Sequence, residues 1–251
     1  MNLLIYPNLT AEHYIEKVVS LIDLLEKQGY QCFLTAQDNA ILFNDESHVL
    51  NNQPYDLVVS AGGDGTFLRA CQYGSAQGKP VCGINCGRHG YLCCFHLETG
   101  EVFDFSALKC EEHTMLQTEV DGNTYLAAGD IVVGKDYFGG TIELKVSVDG
   151  EPMYQFIGDG LIVSSPLGSS GYNLSAGGEV LARNSNLLAL TPICAHSANC
   201  APLLVCDTSK ITIELLRKNY PASVYYDGIK AGQLDKIDVV NSNQFLHILT
   251  R

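Results

Sequence analysis

Positive charge is scarce in this chain. Its 251 residues carry 15 Lys and Arg against 28 Asp and Glu, a net charge of −13 at pH 7. So acidic a protein repels a phosphate backbone unless its few cations cluster, which argues against nucleic acid and anionic membrane as partners. Charge of either sign is low, 17% of residues against 46% hydrophobic. That balance excludes global disorder and suits a chain that buries about 70–75% of its unfolded surface. Met1-Asn2-Leu3-Leu4-Ile5-Tyr6-Pro7 lacks the positive n-region and small-residue cleavage site of a secretory signal, and reads as a first strand. An uncharged run, residues 184–206, is interrupted by Pro192 and Pro202 and reads as buried strands and loops instead of a membrane helix. Repeats of fixed period, low-complexity tracts and long linkers are also missing. These absences leave a cytoplasmic globular chain of roughly 1.7 average domains.

Ten cysteines without a signal peptide point to reduced thiols in a cytoplasm, not to a disulfide framework. Cys82, Cys86, His89, Cys93, Cys94 and His96 fall close together but lack paired C-x-x-C knuckles. Lying among strand-like and glycine-rich residues, they are expected to pack as small apolar side chains, and no protein-held metal is expected.

Two patterns divide the chain. The first hundred or so residues alternate strand and helix signals, the signature of a Rossmann-like parallel sheet. Residues 3–6 read as a strand; Thr10 is a candidate N-cap, followed by Tyr14, Ile15, Val18, Val19, Ile22 and Leu25 at helical spacing up to Gly29. Residues 32–35 read as a second strand, and the stretch from there to Pro54 is ambiguous. Strand 57–60 runs into a glycine-rich turn, a helix starts at Phe67, strand 80–85 ends on a second glycine-rich turn, and 98–104 read as the acidic start of a helix. From about residue 112 the period becomes two, with Asp121-Gly122, Asp149-Gly150 and Asp227-Gly228 as hairpin signals. The expected architecture is an α/β domain over residues 1–110 and an all-β domain over 111–251.

What the chain has in quantity is glycine, 24 residues. Gly62-Gly63-Asp64-Gly65-Thr66 follows an apolar strand and opens a helix, so backbone N–H groups and the positive helix end address one spot, where an anion binds. Neither a Rossmann G-x-G-x-x-G nor a Walker G-x-x-x-x-G-K-[ST] is present. Asp64 is the unexpected element, because an acid inside an anion-binding turn is unfavourable unless it serves a metal or takes a proton from a hydroxyl. A G-x-S-x-G elbow is missing too, so a serine hydrolase finds no support.

Gly62-Gly63-Asp64-Gly65-Thr66, Gly83-Ile84-Asn85-Cys86-Gly87-Arg88-His89-Gly90-Tyr91-Leu92, and the run from Gly158-Asp159-Gly160 through Ser169-Ser170-Gly171-Tyr172-Asn173-Leu174-Ser175 to Gly177-Gly178 resemble, in order and spacing, the three signature regions of the NAD kinase family. The first motif is shared with lipid kinases; the third is the more specific. The resemblance implies the two-domain NAD kinase fold and transfer of the γ-phosphoryl of ATP, or of polyphosphate in some members, to the 2′-hydroxyl of the adenosine ribose of NAD(H). It implies magnesium or another divalent cation carried with ATP, and a homodimer or homotetramer. Asp64 matches the catalytic aspartate. Gly63, Gly65 and Thr66 are placed at the phosphates, and Gly129, Asp130, Asp159, Ser170, Gly171, Tyr172, Asn173 and Ser175 at the nucleotides; Arg69, one helical turn on from Asp64, reads either as a cation that neutralises the phosphates or as a solvated helix cation. A carboxylate, with a reference pKa of about 3.9, barely deprotonates an alcohol in the ground state. Its contribution, roughly 10²–10⁴-fold, comes late in a loose transition state.

The chain departs from the family pattern at several ligand positions. Gly129-Asp130 stands for an Asn-Glu pair, Ile157 for a basic residue, Leu167 for a hydroxyl residue and Ala201 for an Arg, and an amphipathic return helix is not seen after the last strand. Each lost polar contact costs about 1–3 kcal/mol if a partner stays unpaired. A kinase with another acceptor, nucleotide or lipid, and a non-catalytic dinucleotide sensor are the competing readings. Asp64 separates them, since a sensor has little use for a carboxylate inside a phosphate-holding turn.

Overall fold

The computed structural model describes residues 1–10, 12–43, 45–87, 90–97, 102–196, 200–216 and 220–251. Two compact units emerge: Met1–His113 with Phe245–Arg251, and Thr114–Gln244. The last strand ends in the first unit, so the chain does not divide simply in two at residue 110.

The first unit is built from β1 (Asn2–Pro7), α1 (Glu12–Lys27), β2 (Gln31–Phe33), α2 (Ala36–Leu42), β3 (Leu57–Gly62), α3 (Asp64–Ala76), β4 (Val81–Asn85) and a short β5 (Phe95–His96). The strands run parallel in the order β4-β3-β1-β2, with β5 beside β4. β3 and β4 are buried at every position, as strands covered on both faces must be. Val18, Leu21, Ile22 and Leu25 form the buried stripe of α1, and Gly29 takes a left-handed turn just past its end.

Three local expectations change. The ambiguous stretch contains α2, whose N-cap Thr35 accepts the Asp38 N–H at 3.1 Å. At seven residues it is too short for its period to show. α3 begins at Asp64, not Phe67, because Gly63 caps it and its carbonyl accepts from Thr66 and Phe67, both at 3.0 Å. Of the expected acidic helix start, residues 98–101 lie outside the described residues. Beyond them the chain makes only a single 3-10 turn, Phe105–Ala107, with the Asp104 side chain accepting the Ser106 N–H at 3.1 Å.

The second unit is antiparallel. Its strands are β6 (Lys109–Val120), β7 (Asn123–Ala127), β8 (Asp130–Lys135), β9 (Ile142–Val148), β10 (Glu151–Gly158), β11 (Gly160–Ser164), β12 (Leu187–Ile193), β13 (Leu203–Cys206), β14 (Ile211–Leu215), β15 (Ala222–Tyr226), β16 (Ile229–Gln233) and β17 (Lys236–Thr250). β6 begins and β17 ends in residues of the first unit. One sheet has the order β13-β12-β11-β8-β15-β16; a second run is β10-β9-β14-β17, continued by β6 and β7. Alternate residues of both share a core, with Ile142, Leu144 and Val146 of β9 joining Ile131 and Val133 of β8 and Ile211 and Ile213 of β14. Each such side chain contributes roughly 1.5–3 kcal/mol on burial. All three Asp-Gly hairpins form, with Asp121, Asp149 and Asp227 at φ of 51°, 52° and 44° and a left-handed glycine after each. Among the described residues no helix is long and apolar enough to cross a membrane.

Candidate active site

β3 delivers the chain to Gly62, and Gly63 turns it into α3 without a side-chain cap, leaving first-turn N–H groups for a ligand. Asp64 is the first helical residue. Its Oδ2 accepts the Tyr91 N–H at 3.0 Å and its Oδ1 the Leu92 N–H at 2.9 Å. These two amides belong to the second glycine-rich segment, which is anchored by buried Asn85 at the end of β4; its Oδ1 accepts the Gly87 N–H at 2.8 Å. A Cβ on Gly90 would sit 2.8 Å from Asn85 Cγ, so only glycine lets the segment pass. The second motif thus aims the catalytic candidate of the first. Arg88 and His89 of that motif lie outside the described residues.

Gly65 is exposed and Thr66 buried beside it. Arg69 makes no hydrogen bond or ion pair with another described residue. It lines a cavity of about 430 Å³ with Tyr6, Asn8 and Thr35. A larger cavity in the second unit, about 590 Å³, contains Lys210, but that cation is already paired with Asp238 at 2.7 Å.

In the second unit Gly129 and Asp130 open β8, and one carboxylate fixes them. Asp227, in a hairpin turn, accepts the N–H groups of Ala128 at 2.8 Å, Gly129 at 2.7 Å and Asp130 at 3.1 Å. Burial, and secondarily the charge of Asp227, push the Asp130 carboxyl up to about 7. Asp159, between β10 and β11, is ion-paired to Lys135 at 2.7 Å. A cation therefore stands beside Asp159, reached from β8 and not from position 157. The Tyr172 phenol is 49% exposed, and its pKa is raised by partial burial and then by Cys194, Asp159 and Asp130, which places these groups in one neighbourhood.

The long glycine-rich run is closely packed. A Cβ on Gly168 would overlap the Gly129 carbonyl, so these two predicted regions touch. Leu167, at a position where the family pattern has a hydroxyl, is buried. Ser165 ties the same place, its Oγ donating to the Ala128 carbonyl at 2.6 Å. Residues 169–173 form a wide helical turn broken at Gly171. Asn173 is fully buried: Nδ2 donates to the Ser169 carbonyl at 3.0 Å and the Glu179 carbonyl at 2.9 Å, and Oδ1 accepts from Thr191 at 2.6 Å. Its amide holds the loop together. Ser170 is half-buried, while Gly171, Tyr172 and Ser175 are exposed, with Ser175 Oγ donating to the Gly171 carbonyl at 3.2 Å.

Sequence reasoning gives Asp227 and Asn85 no role beyond their motifs and does not single out Lys135. In sequence Asp227 is only half of a turn signal, and the strand register that brings Lys135 to Asp159 has no local signature. Cys82, Cys86 and Cys94 are core residues of the first unit, as packing cysteines are. Among the described residues no group of three or more His, Cys, Asp or Glu is arranged to hold a metal ion.

Residues 17–113 match the family model of the ATP-NAD kinase N-terminal domain, and residues 129–245 that of the ATP-NAD kinase C-terminal domain. An NAD kinase of Bacteroides fragilis is 31% identical over 244 residues, covering 91% of this chain and 84% of that protein. An NAD kinase from Archaeoglobus fulgidus, solved in complex with ATP, superposes with a TM-score of 0.70 at 25% identity, over 98% of this chain and 92% of that one. Yeast NADH kinase complexed with NADH shares the fold, with a TM-score of 0.80 at 24% identity over 100% of this chain and 83% of that one.

Proposed function

The chain belongs to the NAD kinase family of phosphotransferases, and from that premise we propose that it transfers the γ-phosphoryl of ATP to the 2′-hydroxyl of the adenosine ribose of NAD(H), giving NADP(H) and ADP. The observation that carries this reading is the Asp64 carboxylate, gripped by the Tyr91 and Leu92 amides at the opening of α3. Each oxygen keeps a lone pair for a substrate hydroxyl. As the bond from O2′ to the γ-phosphorus forms and the bond to the β-bridging oxygen breaks, the hydroxyl proton passes to Asp64 and then to solvent. The amides at Gly63 and Gly65 and the turn at Thr66 cradle phosphate oxygens, and Arg69, which has no ionic partner among the described residues, offsets their charge.

Gly129, Asp130, Asp159, Ser170, Gly171, Tyr172 and Ser175 form the dinucleotide surface, with Asp130 and Asp159 accepting from hydroxyls and Tyr172 offering a flat face. Asn173 serves through the loop it ties. Both Asp64 oxygens accept from amides, and among the described residues no group of three or more His, Cys, Asp or Glu could hold a metal ion, a donor set that fits magnesium borne by the nucleotide's own phosphates. When bound there, magnesium supplies charge neutralisation. The enzyme works in the cytoplasm as a homo-oligomer; exposed Leu204 and Ile229 on the edge strands β13 and β16 offer apolar surface for a second copy.

The test is incubation with MgATP and either NAD or NADH, with NADP(H) detected by an NADP-specific dehydrogenase. Product from either supports the reading, and absence of product with both overturns it. No observation favours another acceptor or a non-catalytic sensor.

A further inference from the structure

Asp64 owes its aim to the amides of Tyr91 and Leu92, and those amides are only as fixed as the glycine-rich segment that carries them. Backbone groups at the start of that segment hold it. The Cys86 N–H donates to the Gly62 carbonyl at 3.0 Å and the Gly87 N–H to Asn85 Oδ1 at 2.8 Å, which joins the second motif to the first. The Cys86 carbonyl takes its partner from outside both motifs. Lys17 of α1 donates its ammonium to that carbonyl at 2.7 Å, across 69 positions of sequence.

The chain has 28 Asp and Glu, yet Lys17 makes no ion pair with a described residue and gives its charge to a backbone oxygen. Such a charge-assisted bond is roughly twice as strong as a neutral one. Tyr14, three residues earlier and so on the same side of the helix, packs on the next residue of the segment: its hydroxyl oxygen lies 3.1 Å from where a Cβ on Gly87 would sit. One helix face therefore meets Cys86 and Gly87 together. Asn85 carries the constraint onward. Its Oδ1 holds Gly87, its Nδ2 lies 3.2 Å from His96 Nδ1, and its Cγ stands 2.8 Å from where a Cβ on Gly90 would sit. Gly90 directly precedes Tyr91, so a contiguous set of contacts runs from the Lys17 ammonium to the Asp64 carboxylate.

We propose that Lys17 is a positioning residue for the phosphoryl transfer. By fixing the Cys86 carbonyl it holds the second motif in place, and the Tyr91 and Leu92 amides then keep Asp64 turned toward the substrate hydroxyl. Lys17 acts through Asp64 and touches no substrate. A carboxylate misplaced by about 1 Å loses rate and not affinity, up to about 10²-fold. The inference rests on the kinase reading above.

Variants of the full chain test it. Lys17→Met keeps the aliphatic stem and removes the ammonium, and Lys17→Arg keeps a charged donor. In Lys17→Met, kcat is expected to fall about tenfold while the KM values for ATP and NAD change less than about twofold, and Lys17→Arg should recover most of the loss. Added to Asp64→Asn, Lys17→Met should lower kcat by less than about twofold more, because the carboxylate it aims is gone. In NMR hydrogen exchange, the Tyr91 and Leu92 amides of Lys17→Met should exchange about tenfold faster than in the wild type, with the amides of β1 unchanged. Unchanged kcat in Lys17→Met, or unchanged exchange at Tyr91 and Leu92, overturns the proposal. So does an equal loss in the Asp64→Asn background, or a loss confined to KM, which would make Lys17 a substrate contact. Because exchange needs no turnover, failure of the wild type to make NADP(H) sinks the kinase reading separately.

Discussion

The glycine-rich turn of the first unit and the glycine-rich run of the second differ in where their polar groups go. Around Gly63 and Gly65 the N–H groups of a helix end stay open, Arg69 has no described partner, and Asp64 is aimed by two amides with lone pairs to spare. Between Gly158 and Gly178 the polar side chains mostly face inward: Asn173 makes three internal hydrogen bonds, Ser165 ties Ala128, and Ser169 donates to the Pro166 carbonyl at 2.8 Å. In the first, Gly65 faces open space. In the second, glycine lets backbones touch, so that a few exposed groups such as Tyr172 are held in place. The same residue type therefore accompanies open backbone donors in one region and close packing in the other.

Substitutions can break this contrast. Asp64→Asn should lower kcat about 10²–10⁴-fold with small changes in KM, since an amide cannot take the proton and turns a donor toward one of the two N–H groups. Unchanged kcat in steady-state assays would remove the contrast at its root. Asn173→Leu should act on stability instead. Leaving Thr191 and two carbonyls unpaired costs about 3 kcal/mol. For a chain of this size that lowers Tm by roughly 6–12 °C. A calorimetric melt like that of the wild type, combined with a raised NAD KM, would show that Asn173 contacts substrate after all.

Lys135→Met, which strips Asp159 of its cation, should raise the NAD KM about tenfold, or about 1.4 kcal/mol, and spare the ATP KM. If the ATP KM rises equally, the ion pair is not specific to the dinucleotide side. A further test is read in stability and not in kinetics, and it concerns Asp130. Its carboxyl is pushed from 3.8 to about 7 in the fold, so the folded state holds a proton that the unfolded state releases. Stability should accordingly fall as pH rises through that window. Urea midpoints at pH 5 and pH 8 should differ less in Asp130→Asn than in the wild type; equal differences would mean that Asp130 does not titrate there.

Most of the fold is legible in the sequence because its signals are local. The strand-turn-helix passage at 57–76, the change to period two near residue 112, and the three Asp-Gly hairpins each depend on residues adjacent in sequence, and the family resemblance draws on contiguous motifs. What escapes depends on register and return. Tyr91 reaches Asp64 only because β4 lies beside β3, Lys135 reaches Asp159 only through the pairing of β8 with β11, and Asp227 clamps Gly129 across 98 positions. The departures at 129 and 157 look like simple losses in sequence. In space, a clamp and a cation supplied from elsewhere accompany them.

The last strand has a consequence for the order in which the protein assembles. Ile248 pairs with Val81, the Cys94 thiol donates to the Leu249 carbonyl at 2.6 Å, and the Arg251 guanidinium lies 4.8 Å from the Phe95 ring centroid. These contacts close the first unit with residues that leave the ribosome after all of the second. The first unit thus begins synthesis first but completes its sheet last, with the second unit in between. Such non-local closure is slow, and while the second unit is made the nascent first unit must leave the Val81 end of β4 without its Ile248 partner, although β5 already pairs Ile84 and Asn85 on that edge.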